Sequence, residues 1–339
     1  GVLGPWGSGK TSFINLARVY WQSSGAVILD FNPWMFSGPE QLVDSFFIEI
    51  SAQLKIRPSL AVIGKEFAAY GELFSGLASL AHVGPWAAII GVVGGAFLRI
   101  SNNRKKGVNA VRAKVERALL SLDQSIIVVI DDIDRLTTDE IRNVFKLIRL
   151  TASFPNVVYV VAFDRIRIEK ALEDEGIPGR NYLEKILQVG IDLPEAPFDV
   201  LNMQIFQAID KVIEGIGAPG RFDEDLWPDI FFEIIRPLIT NMRDVRRYAA
   251  AVNGTVWSLQ GRVALVDVLA LEAVRVFLPD VFYKMHRAVS ALTSTWDGYG
   301  TRDLEEKVRK EEVNQLIEVA GGGAEVVRVL IKRLFPAAR

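Results

Sequence analysis

The sequence predicts an α/β fold, a parallel sheet with helices on both faces, followed by an all-α helical region. Three observations predict it. Short apolar runs such as "SIIVVI" and "NVVYVVAF" have the length and β-branched content of strands buried on both faces. Stretches with helical periodicity separate these runs, as crossovers between parallel strands require. Beyond Pro197 one 3.6-residue apolar pattern follows another, without an internal repeat.

The expected organisation is a sheet-containing core at 1–195 and a helical domain at 196–339, the second acting as a lid. An apolar and basic insertion is expected at about 56–107, inside the core. The opening residues "GVLG" are typical of the end of a strand, so we expect the chain to be truncated at its amino terminus, within its own domain.

The amino-acid composition argues against several classes of function. The 39 Lys and Arg residues nearly balance the 41 Asp and Glu residues, which gives no whole-chain electrostatic signal for nucleic acid. Cysteine is absent, which excludes disulfides and thiolate metal sites and is compatible with a reducing cytoplasm. The two histidines, His82 and His286, are far apart in apolar surroundings, which argues against a zinc site.

The first chemical signal is the stretch "GPWGSGKTS", which matches G-x-x-x-x-G-K-[ST] in full. Backbone N–H groups can wrap a phosphate chain only where no Cβ intrudes, and Gly7 and Gly9 permit that approach. Lys10 is expected to reach the β- and γ-phosphates, and the Thr11 hydroxyl to ligate Mg²⁺. The helical spacing that follows places a helix N-terminus beside the anion. The predicted nucleotide-binding residues of the loop are Gly4, Pro5, Trp6, Gly7, Ser8, Gly9, Lys10, Thr11 and Ser12.

The second signal is an apolar strand that ends in acid, "SIIVVIDDIDRL". Asp131 and Asp132 stand at its carboxyl end, where open α/β sheets place their ligands. Asp131 is expected to be the acid of the Mg²⁺ site, and Asp132 to polarise the attacking water. Asp134 and Arg135 follow at once, and they either hold the geometry of the site or contact a neighbouring subunit.

Three further apolar runs are expected to complete the sheet, at Ala26–Phe31, Asn156–Arg165 and Ile186–Pro194. In a sheet of this kind, the strand between the loop strand and the acidic strand carries a polar tip that senses the γ-phosphate. Asp164 and Arg165 are the candidates for that tip.

The motifs "GPWGSGKTS", "FNPWMFSG", "VVIDDIDRL", "VVAFDR" and "YLEKILQVGIDLP", in this order, resemble the KAP family of P-loop NTPases, relatives of the STAND and AAA+ ATPases. The resemblance is strong to about residue 200, and "FNPW" is its most family-specific piece. It implies hydrolysis of ATP (or GTP) with Mg²⁺, and signalling or antiviral defence, often at the membrane. It assigns Lys10 and Thr11 to nucleotide and metal, and Asp131 and Asp132 to the acidic site. The chain departs from the family in having no clear Asn or Thr at the sensor tip.

The interval 73–98 contains no Asp, Glu, Lys or Arg. One membrane span there would put Thr11 and Asp131 on opposite sides of the bilayer, and Gly84-Pro85 divides the interval into arms that each reach only roughly 16–20 Å. Three interpretations stay open: a hairpin in one leaflet, a helical pair buried against protein, and longer spans that recruit flanking residues. The basic cluster that follows either meets anionic headgroups or is solvated.

In the helical region, "TNMRDVRRYAAAVNG" is expected to form a helix that begins after Asn241 and ends at Gly254. Arg243 matches the position of a lid arginine that reaches the nucleotide in related ATPases, and a salt-bridged surface helix is the alternative. Arg135, Arg165 and Arg180 are the candidates for an arginine finger.

These features favour an ATP-driven switch, in which nucleotide binding and slow hydrolysis move the lid and change oligomerisation or effector contact. The alternatives are an AAA+-like remodelling motor and a nucleotide-binding membrane scaffold. The expected partners are further copies of the chain and an effector of unknown identity, with membrane contact through 73–98 as an option. The expected location is the cytoplasm or the cytoplasmic face of the membrane.

Overall fold

The computed structural model describes residues 1–36, 39–73, 102–151, 154–173, 178–217, 219–293 and 302–336. The chain forms two compact units, Gly1–Pro194 and Glu195–Arg339. Most of the apolar interval, together with His82, lies outside the described residues, so its three interpretations stay predictions. Among the helices that are described, none combines the length and apolar character needed to cross a bilayer.

The first unit contains the predicted parallel α/β sheet, which is confirmed. Its five strands have the spatial order β2-β3-β4-β1-β5, and every neighbouring pair is parallel. The strands are β1 (Val2–Leu3), β2 (Val27–Phe31), β3 (Ile126–Ile130), β4 (Val157–Phe163) and β5 (Ile191–Asp192). The order places β4 between the loop strand and the acidic strand, as predicted.

The expected last strand, Ile186–Pro194, is much shorter than predicted, because only Ile191–Asp192 pairs with β1. The amides of Ile186 and Leu187 instead donate to the carbonyl oxygen of Leu183, at 3.0 and 2.8 Å, and thereby continue the preceding helical turn. Ile186 and Leu187 pack against the hydrophobic core from that turn. Their apolar character therefore reflects burial beside the sheet and not membership of it.

Helices cover the sheet and connect its strands. They are α1 (Lys10–Ser23), α2 (Pro39–Lys55), α3 (Ala61–Glu72), α4 (Asn102–Leu120), α5 (Thr138–Thr151), α6 (Arg165–Leu172) and α7 (Gly179–Glu184). Two short 3₁₀ turns, Pro33–Met35 and Ile133–Arg135, follow the carboxyl ends of β2 and β3. Because all five residues of β3 are buried, the acidic residues after it are anchored to a rigid strand.

Helix α1 follows the predicted loop, but its apolar spacing does not mark its buried face. Ile14 is buried in α1, whereas Leu16 is 68% exposed and Tyr20 is 76% exposed. An amphipathic pattern predicts that a segment is helical. Which face of the helix becomes buried depends on the elements that pack against it.

The second unit is helical. Its helices are α8 (Phe198–Glu214), α9 (Trp227–Ile230), α10 (Arg236–Leu238), α11 (Met242–Leu259), α12 (Leu265–Phe277), α13 (Pro279–Met285), α14 (Val289–Thr293), α15 (Arg302–Val319) and α16 (Ala324–Leu334). A π-helical segment, Phe231–Ile235, joins α9 to α10. The core is apolar, and the buried hydroxyl of Tyr248 donates to the carbonyl oxygen of Leu269 at 2.9 Å.

Helix α11 begins as predicted and ends later than predicted. The side-chain oxygen of Asn241 accepts from the amides of Arg243 (2.9 Å) and Asp244 (3.1 Å), which confirms the N-cap. The prediction that Gly254 closes the helix is wrong, because the helix continues to Leu259 and ends at Gln260, whose φ is 49°. Val256 is buried beyond Gly254 on the same face of the helix, so packing supports the helix past the glycine.

Replacing Gly254 with alanine is expected to stabilise the second unit by about 0.5–1 kcal/mol, because glycine in a helix interior costs conformational entropy. A Cβ at this position meets no atom within 4 Å. The measurement is the thermal unfolding midpoint of Gly254→Ala. The matched control is Gly321→Ala, which also has open space but a φ of +52°, and which we expect to destabilise. A lower midpoint for Gly254→Ala would contradict the prediction that this glycine costs stability in the helix interior.

Candidate functional site

The glycine-rich loop joins β1 directly to α1. Gly7 and Gly9 have φ values of 89° and 91°, in the left-handed region that favours glycine. Gly9 is the N-cap of α1 and caps it without a side chain, so the amides of the first turn have no side-chain acceptor. These amides, together with the helix dipole, make the loop an anion-binding nest.

The shape of the loop fits a phosphate chain. A Cβ added at Gly9 would meet no atom within 4 Å, so open space lies beside the backbone at the point where the loop enters the helix. At Gly4 the packing is the opposite, because a Cβ would come 2.5 Å from the Ser8 hydroxyl oxygen. A Cβ at Gly4 would therefore press on Ser8 within the loop, whereas Gly9 leaves open space beside the backbone and adopts a positive φ that favours glycine.

Lys10 is the first residue of α1 and is buried. Its Nζ donates to the carbonyl oxygens of Gly4 (2.9 Å) and Pro5 (3.1 Å), and lies 3.6 Å from Oδ2 of Asp134. The ammonium group is thus held against the loop, where its positive charge would meet bound phosphate. The sequence did not suggest Asp134 as the counter-ion of this lysine.

Thr11 and Asp131 are 120 positions apart in the chain and in direct contact. The Thr11 hydroxyl donates to Oδ2 of Asp131 at 2.7 Å, and Oδ1 of Asp131 accepts from the amide of Asp132 at 2.8 Å. Hydroxyl and carboxylate oxygens are hard ligands of the kind that Mg²⁺ prefers. In the described part of the chain, no group of three or more His, Cys, Asp or Glu side chains is placed to hold a metal. The pair therefore fits Mg²⁺ bound with help from phosphates and water.

The acidic turn after β3 has an unusual backbone. Asp132 has a φ of 60° and a ψ of 24°, in the left-handed region that few residues other than glycine occupy. Its Oδ1 lies 2.9 Å from Nε of Arg135, and the Arg135 guanidinium lies 5.3 Å from the centre of the Trp34 ring. Arg135 is therefore engaged within its own chain, a contact that sequence analysis did not identify.

An arginine of α1 also contributes to the electrostatics of this edge of the sheet, and the sequence analysis missed it. Arg18 donates through both terminal nitrogens to the carboxylate of Asp30 on β2. This hydrogen bond raises the pKa of the Arg18 guanidinium, and the negative charges of Asp30 and Asp131 add to the effect. The helical position of Arg18, two turns after Lys10, is the signal that could have suggested it.

The sensor candidates lie at the tip of β4. Oδ1 of Asp164 accepts from the amides of Ile166 (3.0 Å) and Arg167 (3.4 Å), so this side chain caps α6. Arg165 lies 4.0 Å from carboxylate oxygens of both Glu169 and Asp192. The amide of Gly4 donates to the carbonyl oxygen preceding Asp164 at 3.2 Å, so the tip of β4 and the loop are adjacent. A role in phosphate sensing stays a prediction.

The remaining predicted residues lie apart from this constellation. Arg180 is on α7, exposed, and its Nε lies 2.9 Å from Oε1 of Glu184. Arg243 belongs to the second unit, where it is exposed in the first turn of α11. Their roles as an arginine finger and a lid arginine stay predictions.

The glycine loop, its buried lysine and the threonine–aspartate contact define a P-loop nucleotide-binding domain. The chain belongs to the KAP family, since the family model described as "KAP family P-loop domain" matches residues 1–258.

A curated relative is the Phage T7 exclusion protein of Escherichia coli (strain K12). It is 28% identical over an alignment of 232 residues, with a coverage of 60% of this chain and 31% of the relative. The chain thus spans about a third of the length of that relative.

Two solved structures align with this chain at low identity. One is the Orc1 protein of Aeropyrum pernix in complex with DNA, at 14% identity and a TM-score of 0.41, covering 97% of this chain and 76% of that one. The other is Cdc6p from Pyrobaculum aerophilum, at 16% identity and a TM-score of 0.39. The alignment covers 98% of this chain and 87% of that one.

Proposed function

We propose that this chain binds ATP, or GTP, hydrolyses it with Mg²⁺, and uses the cycle as a switch of conformation and assembly in antiviral defence or signalling. The observation that carries the proposal is the 2.7 Å contact between the Thr11 hydroxyl and Asp131. It supports one metal site shared by the P-loop and the acidic strand, because it joins the two elements through the oxygens that would face the same ion.

Each residue has a role in this proposal. The amides of the loop and Lys10 bind the phosphate chain, and Thr11 with Asp131 holds the metal. Mg²⁺ supplies positive charge that offsets the charge developing on the phosphate oxygens. Asp132 orients and polarises the attacking water. Phosphoryl transfer depends mainly on positioning and charge, and these side chains provide both.

The switch itself is the finer part of the proposal. Hydrolysis would change the contacts of the second unit with the nucleotide, with Arg243 as the lid residue, and would change self-association or the binding of an effector protein. The name of the phage exclusion relative supports a role in defence, and the part of that protein outside the match leaves the effector unidentified. A cytoplasmic location belongs to the same proposal, since the substrate is a nucleoside triphosphate.

The test is phosphate release from ATP and from GTP by the full chain, with Mg²⁺ and with EDTA, alongside its mass by light scattering. We expect release only with Mg²⁺, and a different mass in the triphosphate state from that in the diphosphate state. No release in Mg²⁺ would contradict hydrolysis. Release with an unchanged mass would contradict the assembly switch alone.

A further inference from the structure

We propose that Arg135 is a positioning residue, which is supported by the Trp34 ring and holds the carboxylate of Asp132 in the orientation that catalysis needs. This inference rests on the proposed function, in which Asp132 polarises the attacking water. It also assigns a role to the motif "FNPW", which has none in the proposed binding of nucleotide and metal.

The backbone of Asp132 is fixed first. Its amide donates to Oδ1 of Asp131 at 2.8 Å while its own φ is 60°. A left-handed conformation at a residue other than glycine persists only where its surroundings hold it. The hydrogen bond to the aspartate that contacts Thr11 orients the peptide group before Asp132, and the 3₁₀ turn that follows accommodates the left-handed conformation.

The side chain of Asp132 is fixed next. The 3₁₀ turn Ile133–Arg135 brings Arg135 back over Asp132, and the amide of Arg135 donates to the Asp132 carbonyl oxygen at 3.1 Å. Nε of Arg135 then lies 2.9 Å from Oδ1 of Asp132. Ile133, which is fully buried, anchors the turn to the core. An ion pair at this distance favours side-chain conformations of Asp132 that keep its carboxylate beside the guanidinium.

Arg135 is itself supported by the neighbouring strand. Phe31 at the end of β2 lies opposite Ile130 at the end of β3, so the turns that follow the two strands emerge side by side. Asn32 caps the first turn by accepting from the Trp34 amide at 3.1 Å. The Trp34 ring then meets the Arg135 guanidinium, with 5.3 Å between the guanidinium carbon and the ring centre. Cation–π contacts are made more often by arginine than by lysine, so this contact favours arginine at position 135.

These contacts form one chain from β2 to the proposed catalytic carboxylate. A group that polarises water contributes to the rate only when it is held in a productive geometry, and small displacements of it cost large factors in rate. Arg135 acts on Asp132 and not on the phosphate chain in this arrangement. Its loss should therefore lower kcat while nucleotide affinity is retained.

The first test compares Arg135→Ala with Arg135→Lys in Mg²⁺-dependent ATP hydrolysis by the full chain. We expect kcat of Arg135→Ala to fall about ten- to hundredfold, with the Kd for ATP within about twofold of wild type. Arg135→Lys should recover part of the loss, because it keeps the charge and loses the contact between the guanidinium and the Trp34 ring. Trp34→Ala should also lower kcat, by a smaller factor than Arg135→Ala does. Trp34→Phe should retain most of the wild-type kcat.

The second test asks whether Arg135 acts through Asp132. If it does, Asp132→Asn combined with Arg135→Ala hydrolyses ATP no more slowly than Asp132→Asn alone. A readout without nucleotide or metal is the unfolding midpoint of the wild-type chain, Asp132→Ala, Arg135→Ala and the double variant. Alanine removes both carboxylate oxygens, so these two substitutions should be non-additive. Additive effects in both readouts would overturn the inference.

The matched control is Arg112→Ala. Arg112 lies on helix α4 and makes the same two kinds of contact. Its Nε is 2.8 Å from Oε1 of Glu116, and its guanidinium carbon is 5.5 Å from the centre of the Phe154 ring. It should leave kcat unchanged. A wild-type or raised kcat in Arg135→Ala would overturn this inference and leave the proposed function intact. No turnover in the wild-type chain would instead overturn the proposed function, on which the inference depends.

Discussion

Replacing Lys10 with alanine is expected to abolish nucleotide binding. The Lys10 ammonium lies in a buried position against the P-loop, with its donors on the carbonyl oxygens of Gly4 and Pro5. A charge pair at about 4 Å in an effective dielectric of about 20 is worth about 4 kcal/mol, so the Kd for ATP should rise about a thousandfold. Calorimetric titration of the variant and of the wild-type chain with ATP measures the two Kd values.

Two companion variants make this result specific. Lys10→Gln keeps a donor for the two carbonyl oxygens and removes the charge, so it should lose nearly as much affinity as Lys10→Ala. Lys55→Ala removes an exposed lysine at the end of α2 and should bind as wild type does. An unchanged affinity for ATP in Lys10→Ala would refute the assignment of the loop, provided that the variant melts as the wild-type chain does.

Replacing Asp132 with asparagine should leave nucleotide binding intact and stop turnover. Asparagine has the same size and tolerates the left-handed backbone that Asp132 adopts, with a φ of 60°. It also keeps an oxygen that can accept from Arg135, so the turn is preserved while the carboxylate charge is lost. Removal of a group that accepts or polarises the reacting proton costs about a hundred- to ten-thousandfold in kcat.

The measurement for Asp132→Asn is single-turnover hydrolysis, paired with the Kd for ATP. The control is Asp139→Asn, which removes an exposed carboxylate from the first turn of α5 and should hydrolyse ATP normally. Hydrolysis at the wild-type rate in Asp132→Asn would remove this residue from its proposed role. Lost binding would mean that it holds the loop or the metal instead.

Local sequence was sufficient to predict the parts of this molecule that depend on local chemistry. Glycines at Gly7 and Gly9 indicate a backbone that a Cβ would prevent, and an all-apolar run followed by acids indicates a buried strand with a ligand edge. The side-by-side order of β4 with β1 and β3 followed from the expected class of sheet, and the structure confirms it.

Contacts that depend on which strands are neighbours could not be predicted in the same way. Trp34 and Arg135 meet because β2 pairs with β3 in a register that brings their ends together, and no local pattern encodes that pairing. The left-handed backbone of Asp132 stands at the start of the 3₁₀ turn Ile133–Arg135, and the run of acidic residues in the sequence does not indicate it. The end of α11 was misplaced at Gly254 because a glycine resembles a C-cap in sequence, while tertiary packing decides whether a helix continues.

The central claim is that one divalent ion is held jointly by the P-loop and the acidic strand. Anomalous diffraction from crystals grown with Mn²⁺ and a non-hydrolysable ATP analogue tests it most directly. We expect one peak within about 2.2 Å of the Thr11 hydroxyl oxygen, beside Asp131 and against the phosphates of a nucleotide wrapped by the loop. A peak away from Thr11, or a nucleotide bound elsewhere, would contradict the claim.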